Sequence, residues 1–342
     1  MTTAYVTHAH YVGHDMPGHP EHAGRIKAVW QQLDQTGLTG RMKKLKPEPA
    51  TDAQILFVHK ADYLEALKQI AYMDHGIRFD SDTYATPDSP HIARLSAGGV
   101  LLAVDEVLTG AADNALAAVR PPGHHAIPQR GMGFCLLGNI AMAARHAQQA
   151  HGIERVMIID FDVHHGNGTQ DMFYDDDSVL FVSTHQYPFY PGTGMLSETG
   201  KAKGRGYTMN IPLTAGHGDG NYNRIFKEVI WPAARRFNPG LILVSAGFDA
   251  HWVDPLAMMN LSLLGYANLT RELIHMAQVL CDGRVVFVME GGYDLNALGH
   301  GWRNIAYALL GEDHVSDPLG TSDAKEPEID ILIDRLQEVH NL

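Results

Sequence analysis

The residues with the clearest chemical potential lie at 160–169, where the sequence reads DFDVHHGNGT. Asp162 and His164 are two residues apart, directly after the apolar run 156–159. Side chains alternate faces along a strand, so these two point the same way and Asp160 lies on the same side, one step behind. A carboxylate and an imidazole that converge at a strand end suit a divalent metal ion. A buried Asp or His can instead satisfy a hydrogen bond in the core, so this segment alone does not distinguish a metal site from a structural role.

Four further segments place polar side chains at predicted strand ends. They read RPPGHH at 120–125, STH at 183–185, AGFDAH at 246–251 and EGGYD at 290–294. Any one of these residues fits a structural role, but all five segments fall where α/β sheets collect their functional groups, beyond the carboxyl ends of the strands. The sequence therefore predicts a common metal site. Asp162, His164 and Asp249 would supply three ligands and leave the open position of a catalytic zinc ion.

Hydrolysis of an amide at such a site also needs proton transfer and a group that stabilises the oxyanion. His124 and His125 suit the proton transfers, because imidazole titrates near neutral pH. Tyr293 suits the oxyanion as an uncharged donor, and the preceding glycines let the backbone bring its hydroxyl close.

The elements that must position these residues form an α/β pattern. Short apolar runs alternate with amphipathic stretches, which predicts one domain with a mostly parallel central sheet and helices on both faces. Strands are expected at 115–119, 155–163, 179–183, 241–245 and 285–289, and helices at 139–149, 223–237, 262–280 and 329–340. We expect the catalytic domain to span residues 1–315, followed by a C-terminal extension, 316–342, with a peripheral helix.

Composition narrows the partners. The chain has 342 residues and a formal net charge of -13, which disfavours nucleic acid and favours cationic substrates, although it also serves solubility. No long apolar run or secretory signal is apparent, so neither a membrane span nor export is expected. Cys135 and Cys281 are far apart, which fits reduced thiols and a cytoplasmic location.

The motifs resemble those of the zinc-dependent histone deacetylase superfamily, which has the arginase–deacetylase fold. RPPGHHA, GFC, DFDVHHGNGTQ, PGTG, SAGFDAH and EGGYD occur in the family's order, and the resemblance runs from about residue 8 to about residue 310. The residues of these motifs are most similar to those of class II enzymes, bacterial histone deacetylase-like amidohydrolases and acetylpolyamine amidohydrolases.

The resemblance implies roles for individual residues. Asp162, His164 and Asp249 would bind one zinc ion per chain. His124 would be the electrostatic member of the tandem pair, oriented by Asp160, and His125 would be the general base and acid. Tyr293 would polarise the scissile carbonyl. Asn167 stands where better-known members carry an Asp behind the second His, and class II relatives often carry Asn there.

Further positions match the substrate path and the structural ion sites. Gly133, Phe134 and Tyr190 match residues of the narrow acyl-lysine tunnel, although core packing is the alternative for the two aromatics. Leu256 matches the position where polyamine-selective relatives carry an acid. Asp82 matches the rim residue that holds the substrate backbone, with Asp80 and Asp88 as nearby alternatives. Arg25 matches the arginine of the acetate channel. Structural K⁺ or Na⁺ would be held at two sites. The inner set of residues is Asp160, Asp162, His164, Ser183 and Thr184, and the outer set is Phe173, Asp176, Val179 and Tyr222.

Three functions compete. The first is a zinc amidohydrolase that removes acetyl or a similar small acyl group from lysine in proteins or peptides, with acetylated polyamines as the alternative substrate. The second is an acyl-lysine binding module without turnover, which the presence of Tyr293 and both tandem histidines disfavours. The third is a two-metal ureohydrolase, which Asn167 disfavours because a further ligand Asp is expected near that place. A homo-oligomer is compatible with each of them.

Overall fold

The computed structural model describes residues 1–342 and has a central sheet of eight strands. Their order is β2-β1-β5-β10-β9-β6-β7-β8, and every neighbouring pair is parallel. The two remaining strands, β3 and β4, form a short antiparallel pair. The ten strands are β1 Thr3–Val6, β2 Lys43–Leu45, β3 Ile77–Arg78, β4 Tyr84–Ala85, β5 Asn114–Ala117, β6 Val156–Asp160, β7 Val179–Gln186, β8 Thr208–Leu213, β9 Leu241–Ala246 and β10 Val285–Met289. The predicted parallel α/β fold is confirmed.

Eleven α-helices surround this sheet. One group packs α1, α9 and α10 together, and another packs α4 against α5. The helices are α1 Gly24–Gln35, α2 Asp52–Ile55, α3 Ala61–Ile70, α4 Ser89–Leu108, α5 Asn139–His151, α6 Asn167–Phe173, α7 Asp219–Ile225, α8 Trp231–Phe237, α9 Leu263–Leu280, α10 Leu295–Leu309 and α11 Asp330–His340. No helix combines the length and the apolarity needed to span a bilayer.

The central strands are buried on both faces, which explains their continuous apolar runs. Every residue of β5, β6, β9 and β10 is buried, as expected for parallel strands covered by helices. Cys135 and Cys281 are buried and unpaired.

Several predicted boundaries were wrong in detail. β5 ends at Ala117 rather than at residue 119, and α5 ends at His151 rather than at residue 149. β6 ends at Asp160 rather than at residue 163, because the Asp160 side chain accepts the backbone N–H of Asp162 at 3.1 Å and ends the strand pairing. Asp162 and His164 therefore lie in the loop beyond the strand. β7 continues to Gln186. The helix predicted at 223–237 starts at Asp219 and contains a π-helical turn, Phe226–Ile230, just before Pro232 interrupts the backbone donors.

Residues 316–342 pack against the helices α7 to α10: Ser316 and Asp317 bond to α10 and α9, and the later part of the segment contacts α7 and α8. The Glu326 carboxylate accepts the backbone N–H groups of Gly218, Gly220 and Asn221 at 2.9–3.1 Å. On α11, Ile333 and Leu336 belong to the continuous hydrophobic core. The extension is thus anchored to the α/β unit, and its boundary at residue 315 stays a prediction.

Candidate active site

Two carboxylates and one imidazole converge beyond the carboxyl ends of β6 and β9. Nδ1 of His164 lies 3.3 Å from Oδ1 of Asp162 and 3.2 Å from Oδ2 of Asp249. The backbone holds the remaining oxygens, because Gly291 N–H donates to Asp162 Oδ2 at 2.7 Å and Val163 N–H donates to Asp249 Oδ1 at 2.9 Å. The three predicted ligands are thus brought together with fixed orientations.

This donor set fits a zinc ion. One ligand atom from each of Asp162, His164 and Asp249 can be chosen so that all three lie within 4.8 Å of one another. Burial alone lowers the pKa of His164, but its hydrogen bonds to Asp162 and Asp249 raise it to about 10. The pocket therefore stabilises positive charge where the three atoms meet, and its nitrogen and oxygen donors match those of catalytic zinc sites.

The rings of the tandem histidines lie beside this cluster, with their centroids 3.9 Å apart and their planes tilted by 42°. Each is oriented through Nδ1 by a different partner. For His124 the partner is Asp160 Oδ2 at 3.0 Å, and for His125 it is Asn167 Oδ1 at 2.8 Å. Because the Asn167 oxygen only accepts, His125 carries its proton on Nδ1 and presents a lone pair at Nε2.

Electrostatics separate the two rings. Burial lowers the pKa of His124, but the charges of Asp162 and Asp160 outweigh it and hold this pKa well above its ordinary value. Burial, together with positive charge at His124 and His164, holds the pKa of His125 well below its ordinary value. The pair therefore combines a ring that retains its proton with a ring that is free to accept one.

The loop after β10 carries Tyr293 and is joined to neighbouring loops by two carboxylates, that of Glu290 within the loop and that of Asp254 outside it; neither residue has a predicted role. Glu290 accepts the backbone N–H groups of Gly123 and His124 at 2.7 and 3.1 Å, and burial raises its pKa to about 7. Asp254 accepts the N–H of Tyr293 at 2.7 Å through Oδ2 and the N–H of Leu256 at 2.9 Å through Oδ1. Burial keeps the pKa of the Tyr293 hydroxyl well above its ordinary value, so it stays a neutral donor.

A cavity of about 480 Å³ leads from the surface to these groups. All four predicted tunnel residues line it, namely Gly133, Phe134, Tyr190 and Leu256, as does the predicted rim residue, Asp82. Three residues of the predicted chemical centre lie at its end: His125, His164 and Tyr293. The other lining residues are His19, Pro20, Arg78, Ser81 and Phe189. Phe189, which the sequence argument missed, stacks on His164 at 5.5 Å. Phe189 could have been predicted as a cavity residue, because it lies next to Tyr190 in a segment rich in aromatic residues and proline.

The comparisons with known proteins decide the family. A family model described as the histone deacetylase domain matches residues 19–309. The chain belongs to the histone deacetylase family. It is 40% identical to histone deacetylase 14, chloroplastic, of Arabidopsis thaliana, over 97% of this chain and 83% of that protein. It is 42% identical to a probable deacetylase of Archaeoglobus fulgidus, over 92% and 88% of the two chains.

Two further relatives place the chain within this family. It is 44% identical to the histone deacetylase-like amidohydrolase of Pseudomonas aeruginosa, over 80% of this chain and 71% of that protein. Among solved structures, the HD domain of HDA15 superposes with a TM-score of 0.90 and 34% identity over 99% of this chain and 93% of that domain. This deacetylase-family chain is accordingly a hydrolase that acts on amides, with the arginase–deacetylase fold.

The remaining predicted positions are that of the acetate channel, at Arg25, and that of the substrate rim, at Asp82 or its neighbours. Arg25 is fully buried behind Tyr293, 4.9 Å from the ring, and donates to the carbonyls of Glu290 and Gly292. For the rim, Asp82 lines the cavity mouth, whereas the Asp80 carboxylate accepts the N–H groups of Asp82 and Thr83 and Asp88 precedes α4.

The residues assigned to structural cations are buried, but the side chains of several of them already have partners. Thr184 Oγ1 donates to the Asp160 carbonyl at 3.4 Å, and the Asp176 carboxylate pairs with Arg145 at 2.6 Å. The Tyr222 hydroxyl has no hydrogen-bond partner. Phe173 and Val179 are apolar and buried, and the Ser183 hydroxyl lies 3.0 Å from His185 Nδ1.

Replacing Gly133 by alanine is expected to lower kcat much more than replacing Gly110 by alanine, although the two substitutions should lower the free energy of unfolding by similar amounts. Gly133 has a φ of +55°, and an added Cβ would lie 2.4 Å from the His125 ring. Gly110 has a similar φ of +74° with nothing within 4 Å, so Gly110→Ala carries the same backbone cost, about 1 kcal/mol, without the clash. Thermal melts and kcat of both variants test this. Equal loss of kcat in the two would show that Gly133 does not set the position of His125.

Proposed function

We propose that this protein is a zinc-dependent amidohydrolase that removes acetyl, or a similar small acyl group, from the ε-amine of acyl-lysine in proteins or peptides. The observation that carries the proposal is the cavity itself. Aromatic side chains of Phe134, Phe189 and Tyr190 wall it, and it ends at His125, His164 and Tyr293. An apolar wall suits the methylene chain of lysine, and the polar end suits the amide.

Asp162, His164 and Asp249 would hold the zinc ion. When bound, zinc supplies Lewis-acid chemistry that polarises a carbonyl and makes water nucleophilic at neutral pH. Binding one zinc ion per chain at this centre stays a prediction, as does the binding of K⁺ or Na⁺ at the inner and outer sets.

The chain's own groups account for the proton transfers. His125, neutral and oriented by Asn167, would accept the proton of the attacking water at Nε2 and return it to the leaving amine. His124, which keeps its proton beside Asp160, would stabilise the negative charge that develops. Tyr293 would donate its hydroxyl to the carbonyl oxygen.

The substrate class can be tested directly. The proposal is supported by Leu256, an apolar side chain on the cavity wall, and by Asp82 at the mouth, where a carboxylate can accept a peptide N–H. We expect kcat/KM for acetyl-lysine peptides to exceed that for acetylated polyamines in a side-by-side panel that also varies acyl length. Preference for polyamines would select the alternative, and binding without turnover in zinc-loaded protein would select the acyl-lysine binding module.

Asn167→Asp is expected to move the acidic limb of the kcat/KM profile to higher pH. A carboxylate at this position stabilises imidazolium more than the amide does, so it raises the pKa of His125. The base then stays protonated, and inactive, up to a higher pH. The profile of the folded, zinc-loaded variant, measured with an acetyl-lysine peptide, checks this.

Asn167→Ala is the matched control for this experiment. It removes the hydrogen bond that orients His125 without adding charge, so kcat should fall. The limb should move to lower pH, because that hydrogen bond raises the pKa of His125. A limb that stays put or moves to lower pH in Asn167→Asp contradicts the division of labour between the two histidines.

The acetate-channel role of Arg25 and a homo-oligomeric state also stay predictions. The cytoplasmic location is a further prediction, and two relatives at 40% and 41% identity are named as chloroplastic proteins.

A further inference from the structure

Away from the catalytic cavity, one carboxylate and two imidazoles converge between α4 and α5. Asp105 lies in the last turn of α4, His146 lies in α5, and His151 is the last residue of α5. Nε2 of His146 and Nε2 of His151 each lie 2.6 Å from the same atom, Oδ1 of Asp105. The two rings are 5.7 Å apart and nearly perpendicular.

This cluster is separate from the catalytic centre. Asn139, the first residue of α5, donates its side-chain amide to the Pro121 carbonyl at 3.1 Å, next to the loop of the tandem histidines. His151 lies at the other end of the same helix, about 18 Å further along its axis. The chain then enters β6 from its amino end at Val156, so the cluster lies at the sheet edge opposite the catalytic groups.

The three donor atoms form a ligand set for a borderline divalent ion. Two imidazole nitrogens and one carboxylate oxygen are common zinc ligands, and they also suit cobalt and nickel. At zinc distances of about 2.0–2.2 Å, tetrahedral ligand atoms are separated by about 3.3 Å. All three atoms lie within 4.8 Å of one another, so small side-chain rotations bring them to that spacing.

Charge and access both allow an ion to enter. The side chains of His146 and His151 are 11% and 18% exposed, whereas that of Asp105 is 41% exposed. No lysine or arginine pairs with Asp105. Its sequence neighbour Glu106 pairs with Lys43, and Arg145 pairs with Asp176.

The competing interpretation is that Asp105 only accepts two hydrogen bonds. That arrangement needs both rings to carry the proton on Nε2. Neither Nδ1 atom hydrogen-bonds to another protein group, so the fold does not enforce that tautomer. Both rings also crowd one carboxylate oxygen although Asp105 offers two. The two N···O distances of 2.6 Å are shorter than the separation of about 3.3 Å between the ligands of one zinc ion, so the side chains must move apart slightly when an ion enters.

We propose that Asp105, His146 and His151 form a second metal site, which binds Zn²⁺ or a similar divalent ion apart from the catalytic centre. Water completes the coordination on the exposed side. The ion clamps the carboxyl end of α4 to the carboxyl end of α5. Because it binds only the folded chain, it raises Tm by a few degrees when its concentration greatly exceeds Kd.

The test counts zinc ions per chain. Zinc-loaded wild-type protein is dialysed against micromolar free Zn²⁺ held by a metal buffer and is then analysed for bound metal. The same measurement is made on Asp105→Asn, on the double variant His146→Gln/His151→Gln, and on His275→Gln. His275 is an exposed helical histidine elsewhere, so its variant controls for the loss of any surface imidazole.

We expect wild type and His275→Gln to bind one more zinc ion than Asp105→Asn and the double variant. The zinc-dependent rise in Tm should be smaller in the same two variants, which keep only the contribution of the catalytic centre, while kcat with an acetyl-lysine peptide is unchanged. With Co²⁺ as the probe, the visible absorption of this site should likewise be lost. Equal zinc content in wild type and both site variants, each shown to be folded by circular dichroism, overturns the proposal.

Discussion

Tyr293→Phe is expected to lower kcat by about 100- to 1,000-fold while the protein stays folded and keeps its zinc. The hydroxyl lines the end of the cavity beside His125 and His164, and burial keeps it neutral, so it can donate to a developing oxyanion. Phenylalanine preserves the ring and its packing against Phe134, at 5.8 Å, and removes only the donor. Steady-state kinetics with an acetyl-lysine peptide measure the effect.

Tyr190→Phe is the matched control, because it removes a hydroxyl from the wall of the same cavity. Tyr190 is 37% exposed and lies 5.2 Å from the His125 ring, so its loss should change kcat by only a few-fold. If Tyr293→Phe and Tyr190→Phe lowered kcat to the same small extent, Tyr293 would be a structural residue.

Asp162→Asn is expected to remove zinc from the catalytic centre and to abolish detectable turnover. The substitution replaces an anionic ligand by a neutral amide in a cluster whose other members, His164 and Asp249, do not complete a catalytic ligand set. Elemental analysis and turnover, measured after dialysis against metal-free buffer, test both parts of the prediction.

The design removes interference from the proposed second site. Measuring Asp162→Asn in the Asp105→Asn background leaves the catalytic centre as the zinc site to be counted. Circular dichroism and Tm establish that the variant is folded. Retention of a full equivalent of zinc together with near-normal turnover would exclude Asp162 as a ligand.

The sequence predicted the α/β fold and the members of the cluster because both depend on local patterns. Continuous apolar runs predict strands buried on both faces, and strand ends in a parallel sheet meet at one edge. The extent of β6 was wrong because it depends on one hydrogen bond, from the Asp162 N–H to the Asp160 carboxylate. The alternation of side chains does not reveal that bond.

Side-chain contacts between segments that are far apart in the sequence could not be predicted from local patterns. Asp254 and Glu290 hold backbone N–H groups of other loops, and nothing in their local sequence names those partners. His146 and His151 are five residues apart, a spacing that does not place two side chains on one helical face. Only the helix end and the packing of α4 bring them to Asp105.

The Asp254 carboxylate has a consequence for how this enzyme can change. One of its oxygens accepts the backbone N–H of Tyr293 and the other accepts that of Leu256, so the residue proposed to stabilise the oxyanion and a residue of the cavity wall share one support. Natural variation that remodels the entrance at 255–256 would therefore disturb the chemistry at the same time. New substrate preferences should arise more readily at Tyr190 or in the 78–82 segment, which line the same cavity but make no hydrogen bond to Asp254, so altered recognition leaves this shared support intact.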